Sequence, residues 1–260
     1  MGRARGIGLI LLGVLAICTS LGPELVGHDP AKQSLLEARQ RPSADHLLGT
    51  DHLGRDMAAR LLSGAQLSLS LAALSMLSAG IPGILLGILS AWFGGVTDRI
   101  LTSLSDAVLA LPGLLLVLML AAISLGSWWA LYTGISLTIW VEYFRYTRQR
   151  ARVTLSEPAI EASRMLGLPW HIIVLRHLAP EIGPGLLTVA AFGAATAVTA
   201  MAALGFVSVG LRPPAAEWGV MITELVPYWR EAPFLILQPI MCLVVTVFSL
   251  HLSAGGLRKA

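Results

Sequence analysis

Six side chains able to ligate a metal crowd two short stretches near the start of the chain: His28, Asp29, Asp45, His46, Asp51 and His52. Neutral imidazole binds nickel well, which makes His28, His46 and His52 candidate metal contacts. Their spacing matches no standard ligand set, and histidines in solvated loops are common without an ion. The stretch continues as Leu48-Gly49-Thr50-Asp51-His52-Leu53-Gly54-Arg55-Asp56. A glycine-rich turn carrying two carboxylates and an arginine can satisfy its own charges. Gly49, Asp51, Gly54, Arg55 and Asp56 therefore read either as a structural cap or as a contact for a docked protein.

Nothing in the sequence suggests catalysis. The two lysines, Lys32 and Lys259, are not followed by Ser or Thr, which excludes a G-x-x-x-x-G-K-[ST] phosphate loop. There is no H-E-x-x-H motif, no Cys/His cluster and no serine with a base inside an apolar run. Cys18 and Cys242 lie apart in apolar runs, where a thiol behaves as a small hydrophobe.

The elements that carry these residues follow from hydropathy. Of 260 residues, 55% are hydrophobic and 13% charged, about half the charge of a soluble domain. Charge-free runs cover 7–23, 61–97, 107–141, 182–211 and 232–257. A span needs about 20 apolar residues, so the run from 107 to 141 holds two, broken at Ser124-Leu125-Gly126-Ser127. The expected spans are 7–24, 67–92, 100–122, 128–145, 183–208 and 234–254. The first is expected to be an uncleaved anchor. Leu15-Ala16-Ile17-Cys18 has the look of a lipoprotein cleavage site, but Ile17 is bulky where a small residue belongs, and no A-x-A-like site follows. The fifth is rich in Gly and Ala, as suits close helix packing or the wall of a pathway.

Arg and Lys set the orientation. Eleven of the 18 fall on the side shared by both termini, including Arg3, Arg5, Arg99, Arg145, Arg148, Arg150, Arg152, Arg258 and Lys259, and seven on the other. Both termini are thus expected in the cytoplasm, and the net charge of +3 faces a membrane rather than nucleic acid. Trp128, Trp129 and Tyr132 would mark one interface of the fourth span, and Trp140, Tyr143 and Tyr146 the other. Asp106 is the one carboxylate expected inside the membrane, with Glu142 and His251 near the inner edge; it would face a pathway or hold helices together. Trp218, Met221, Ile222, Leu225 and Val226 form the stripe of a short amphipathic helix, bounded by Pro227 and Pro233. That helix would either pack at the membrane interface or plug the mouth of a pathway.

The segment from Ser156 to Pro180 reads as two short helices. Pro158 suits a first turn, Gly167 a left-handed stop, Pro169 a second start, and Ala179-Pro180 an end before the membrane. Glu161-Ala162-Ser163, Gly167, and His177-Leu178-Ala179-Pro180 resemble the "EAA" loop of permeases in binding-protein-dependent ABC importers. Ser163 stands where the second alanine of that motif is usual. The stretch from Leu48 to Asp56 resembles the signature of the second membrane subunit of dipeptide, oligopeptide and nickel permeases. Gly94-Gly95-Val96-Thr97-Asp98, followed by Asp106 and Pro112, fits the same branch. Ser103 replaces the arginine usual there, with Arg99 as a substitute partner for Asp106. Ala216 to Ile222 looks closer to the nickel permease.

The resemblance implies an all-α membrane protein with the type I ABC importer permease fold and six transmembrane helices. Residues 1–66 would form an anchor and external segment, and 67–260 a five-helix core whose coupling helix lies at about 155–180. Glu161, Ala162, Ser163, Gly167, His177 and Pro180 would couple to an ATPase, while Asp106, Pro112, Trp218 and Met221 would form the pathway or gate. The chain would bind no cofactor; ATP and Mg would sit on partner subunits. Expected partners are a second permease chain, two ATP-binding subunits, an extracytoplasmic substrate-binding protein and the lipid of a bacterial inner membrane. Cargo is expected to be nickel or a nickel chelate, with dipeptide or oligopeptide as the alternative. A secondary transporter is the weaker choice, because paired intramembrane charges and broken half-helices are lacking.

Overall fold

The computed structural model describes residues 3–255; Arg258 and Lys259, counted above for orientation, lie outside the described residues. Helix α1 (Arg3–Val26) leads through an irregular segment to α2 (Met57–Phe93), α3 (Gly95–Leu109), α4 (Gly113–Ile123) and α5 (Trp128–Leu155). The short α6 (Pro158–Met165) precedes α7 (Trp170–Ile173), which runs through a π-helical stretch, Val174–Leu178, into α8 (Ala179–Phe206). Helices α9 (Trp218–Leu225) and α10 (Pro233–Gly255) follow. Among the described residues there is no strand, only an isolated bridge between Thr50 and Asp56.

Among the described residues four helices are long and apolar enough to cross a membrane: Ala4–Gly22, Met57–Phe93, Trp170–Phe206 and Pro233–Gly255. The pair α3 and α4 makes a fifth if taken as one bent span. Helix α5 falls outside this set because Glu142 and four arginines interrupt its second half, yet it forms the centre of the bundle. Leu131, Ile135, Ile139, Val141 and Phe144 are all nearly fully buried.

The contact between α2 and α5 sets the core. Gly80, Gly83 and Gly87 make a flat stripe on α2, and α5 lies directly on it. A Cβ on Gly83 would come within 2.6 Å of the Trp140 carbonyl oxygen, and one on Gly87 within 2.7 Å of Thr147 Cβ. Small residues let backbones approach in this way where lipid supplies no hydrophobic drive between helices.

Several expectations are corrected. The second span begins at Met57 rather than near residue 67, because the Asp56 side chain accepts a 2.7 Å hydrogen bond from the Ala59 amide and caps the helix there. The third span is not one helix. It bends by 74° between α3 and α4, where Pro112 offers no N–H and disfavours helical geometry at Leu111. The second helix of the hairpin does not stop at Pro180. The chain widens into a π turn at Val174–Leu178, where the Ala179 amide donates to the Val174 carbonyl, and the helix continues past Pro180. Trp140 and Tyr143 are buried, at 9% and 4% exposure, against the glycine stripe instead of marking an interface.

Candidate functional site

Candidate functional side chains gather at the two ends of the bundle and in a cavity between them. At one end, Gly49 and Gly54 adopt left-handed φ values of 79° and 73°, turning the chain so that Asp51 faces Arg55. Asp51 Oδ1 accepts from the Leu53 and Arg55 amides, and Oδ2 accepts from Arg55 Nε at 2.6 Å. Glu224 of α9 completes the cluster, accepting from Arg55 at 3.0 Å and from Arg60 at 2.5 Å. Both guanidiniums are 1% exposed, and two carboxylates balance them.

The cap foreseen from Gly49, Asp51, Gly54, Arg55 and Asp56 thus exists, but it is not complete within its own turn. It reaches α9, and its burial leaves Asp51 and Arg55 no face for a docked protein. Sequence reasoning missed Arg60 and Glu224 as members. A charge at the start of an apolar run is the only local signal for Arg60, and none marks Glu224.

Helix α9 is held inside the bundle. Glu217 accepts from the Val220 amide and caps it. Trp218 Nε1 donates to the Leu61 carbonyl at 3.1 Å, and Trp218 and Met221 are each 1% exposed. Both are packed inside the bundle in this structure. Burial pushes the Glu217 carboxyl up to about 7, against the amides of Gly219 and Val220 that favour its charged form. His52 stacks on Tyr228 at 5.0 Å, and burial lowers its pKa from the ordinary 6.5. It lies apart from His28 and His46, which do come together beside Asp56.

At the other end, each arginine of the α5 cluster has a carboxylate partner. Arg145 bonds Asp106 at 2.6 Å, Arg148 Nε and Arg152 bond Asp98 at 2.5 Å, and Arg150 bonds Glu181 at 2.7 Å. Asp98 also accepts from Ser90 at 2.6 Å, so one carboxylate joins the ends of α2, α3 and α5. Asp106 pairs with Arg145, not with Arg99. Its side chain is 55% exposed, outside the cavity described below.

The α6 hairpin projects beyond this clamp. Ile160, 1% exposed, plugs it into a small apolar cluster with Ala151, Ile173, Leu178 and Ile182. The Arg164 guanidinium lies 4.6 Å from the centre of the Trp92 ring. Past these anchors the tip is bare: Glu161, Ala162 and Gly167 are exposed, with Met165 and Leu166 at 84% and 81%. Gly167 has φ 74°, so the tip turn needs glycine. His177 is half-buried and Pro180 exposed, both on the helix leading back to the bundle.

Between the two ends, α4, α5, α8 and α10 line an open-sided cavity of about 470 Å³. Its polar groups are Thr138, Glu142, Thr196, Thr199 and His251 on a largely apolar wall. Asp106, Pro112, Trp218 and Met221 do not line it, although Gly113 does. The signal was present in sequence: Thr196, Thr199, Ala200 and Ala203 recur at i, i+3, i+4 and i+7, one small-sided face of α8.

The family model for the binding-protein-dependent transport system inner membrane component matches residues 83–259. The chain belongs to this family. The permease is 32% identical over 262 residues to the di/tripeptide transport system permease protein DppC of Pseudomonas aeruginosa (strain UCBPP-PA14), covering 97% of this chain and 86% of that one. It is 27% identical to the oligopeptide transport system permease protein OppC of Bacillus subtilis (strain 168), covering 98% and 83%. Its fold is similar to a chain of the MetNI methionine ABC transporter solved in inward-facing conformations, with a TM-score of 0.60 at 18% identity, covering 78% of this chain and 98% of that one. It is therefore a membrane permease subunit of an ABC importer, with the type I permease fold. This is a transport component, not an enzyme; in such systems ATP hydrolysis belongs to partner subunits, and a substrate-binding protein completes the assembly.

Proposed function

We propose that the permease carries dipeptides or oligopeptides through the cavity between α4, α5, α8 and α10, driven through the α6 hairpin by ATPase partners on the cytoplasmic side. The observation that carries the mechanism is the bare hairpin tip on a buried root: Ile160 fixes the base while Met165 and Leu166 present uncovered apolar surface. A partner groove closing on the tip would bury that surface, and Glu161, Ala162, Ser163 and Gly167 would form the contact, with His177 and Pro180 on the return path. Alternating access then follows from pulling two such hairpins together and apart.

Peptide replaces nickel as the preferred cargo. Relatives named for di/tripeptide and oligopeptide transport span nearly the whole chain, and the features that favoured nickel have packing roles. Ala216 to Ile222 inserts Trp218 against α2, and His52 is stacked on Tyr228. In this scheme α5 is a sixth span, both termini are cytoplasmic, residues 1–66 form the anchor and external segment, and 67–260 the core. A second permease chain, two ATPases and an extracytoplasmic binding protein complete the importer, with ATP and Mg on the ATPases.

Uptake of labelled dipeptide and labelled nickel by cells with and without the gene tests the cargo. Dipeptide uptake should be lost on deletion; loss of nickel uptake alone would restore the nickel assignment. Glu161→Arg and Gly167→Val should abolish uptake and substrate-stimulated ATP hydrolysis while the chain still inserts. Unchanged stimulation in both would remove the hairpin from the mechanism.

A further inference from the structure

We propose that His28, His46 and Asp56 bind one divalent transition cation of the zinc or nickel type, held as a resident ion at the end of the bundle that carries α9. The three residues offer one donor atom each, and those atoms all lie within 4.8 Å of one another. Asp56 divides its carboxylate between two tasks. Oδ1 caps α2 through the Ala59 amide, which leaves Oδ2 aimed at both imidazoles, 2.8 Å from His46 Nδ1 and 4.0 Å from His28 Nδ1.

A tetrahedral ion with bonds of about 2.0–2.1 Å sets neighbouring ligand atoms about 3.3 Å apart. The two observed distances straddle that value. Reaching it requires His46 to recede slightly and His28 to approach. His28 is the free member, with a side chain 42% exposed, against 11% for His46 and 3% for Asp56. The imidazoles already converge, their centroids 5.1 Å apart and their planes tilted by 39°.

The surroundings favour a cation over a simple hydrogen bond. His28, His46 and Asp56 open onto a polar cavity of about 420 Å³ that also receives Asp29, Glu37, Asp45 and Lys32. Carboxylates thus outnumber the one lysine, and there is room for a water as fourth ligand. Glu37 Oε2 lies 4.0 Å from His46 Nε2. With Nδ1 on the ion, the proton of His46 sits on Nε2 and points to Glu37, the carboxylate–histidine pairing that orients metal-bound imidazoles. Mixed nitrogen and oxygen donors suit zinc or nickel and not magnesium or calcium. Bound there, the ion ties the segment that follows α1 to the first turn of α2.

The test uses the full-length permease purified with its partner subunits, stripped with chelator and dialysed against Zn²⁺, then Ni²⁺. One ion per chain should survive gel filtration, and a large excess of Mg²⁺ or Ca²⁺ should not displace it. Co²⁺ in its place should show the visible bands of a tetrahedral site. His28→Asn leaves the Asp56 cap and His46 in place and should weaken binding at least about tenfold and remove the tetrahedral Co²⁺ bands. No retained ion, or equal affinity in the parent and His28→Asn, would overturn the site. Binding is read without ATP or cargo, so failure here leaves peptide transport untouched, and failure of peptide uptake leaves this site standing.

Discussion

Arg55 and Glu224 are 169 residues apart in sequence and 3.0 Å apart in the fold, a bond that closes the turn before α2 onto α9. Arg60 shares the same carboxylate. Removing one member of a buried charge network leaves the others uncompensated, at a cost of about 3–5 kcal/mol. Glu224→Gln should therefore lower the apparent melting temperature in detergent by about 10 °C, at roughly 2–4 °C per kcal/mol for a chain of this size. Arg39→Gln, which breaks the exposed pair with Glu231, should shift it by no more than a degree or two.

The two aspartates of α3 should behave differently. Asp98 is 12% exposed and serves Ser90, Arg148 and Arg152, whereas Asp106 is 55% exposed with one partner. Asp98→Asn should destabilise the chain by about 2–3 kcal/mol, and Asp106→Asn by less than about 1 kcal/mol. Thermal unfolding in one detergent checks the order; equal losses would mean that Asp106 is the structural partner of α5 to the same degree.

Glycine position should decide tolerance. Gly83→Ala would drive a methyl against the Trp140 carbonyl and should cost about 1–3 kcal/mol as α2 and α5 separate. Gly183→Ala meets open space and should be neutral or stabilising by up to about 1 kcal/mol. The fraction of monodisperse protein after extraction reports both.

Glu217 gives stability a pH dependence of known sign. Its ordinary value is 4.5, and burial raises it to about 7 in the folded chain. The folded state therefore holds the proton more tightly, and stability should fall as pH rises from about 4.5 to about 7, then level off. The loss is at most about 3.5 kcal/mol at about 1.4 kcal/mol per unit. Glu217→Gln should flatten this slope and be more stable than the parent at pH 8, as followed by melting temperature against pH.

The cavity should accept no large side chain. Thr199→Trp, on its wall, should abolish dipeptide uptake while leaving the hairpin and its ATPase partners assembled. Normal uptake in that variant would move the pathway elsewhere.

Local chemistry was legible and pairing was not. Gly167, Pro158 and the Glu161 motif lie within one short segment, so their turn and first helix follow from neighbours alone and form as read, whereas the second helix runs on past Pro180. Pro112 was visible as a residue of interest, but a 74° bend depends on what α4 packs against. The amphipathic stripe from Trp218 to Val226 was evident too. Its burial was not, because the carbonyl that receives the Trp218 indole belongs to Leu61. Asp106 shows the same limit: Arg99 is about two turns away on the same helix, while Arg145 arrives from another helix. Nor does hydropathy reveal that the four arginines from Arg145 to Arg152 all find carboxylates, two of them sharing Asp98.

The uninterrupted course of Trp170–Phe206, 37 residues, measures about 55 Å at about 1.5 Å per residue. A stiff rod of that length magnifies rotation: a tilt of about 10° at the root moves the far end by about 10 Å. Small angular strokes beyond the π stretch at Val174–Leu178 and Pro184, both near the root, are thereby enough to shift the opposite rim by the width of a side chain or more.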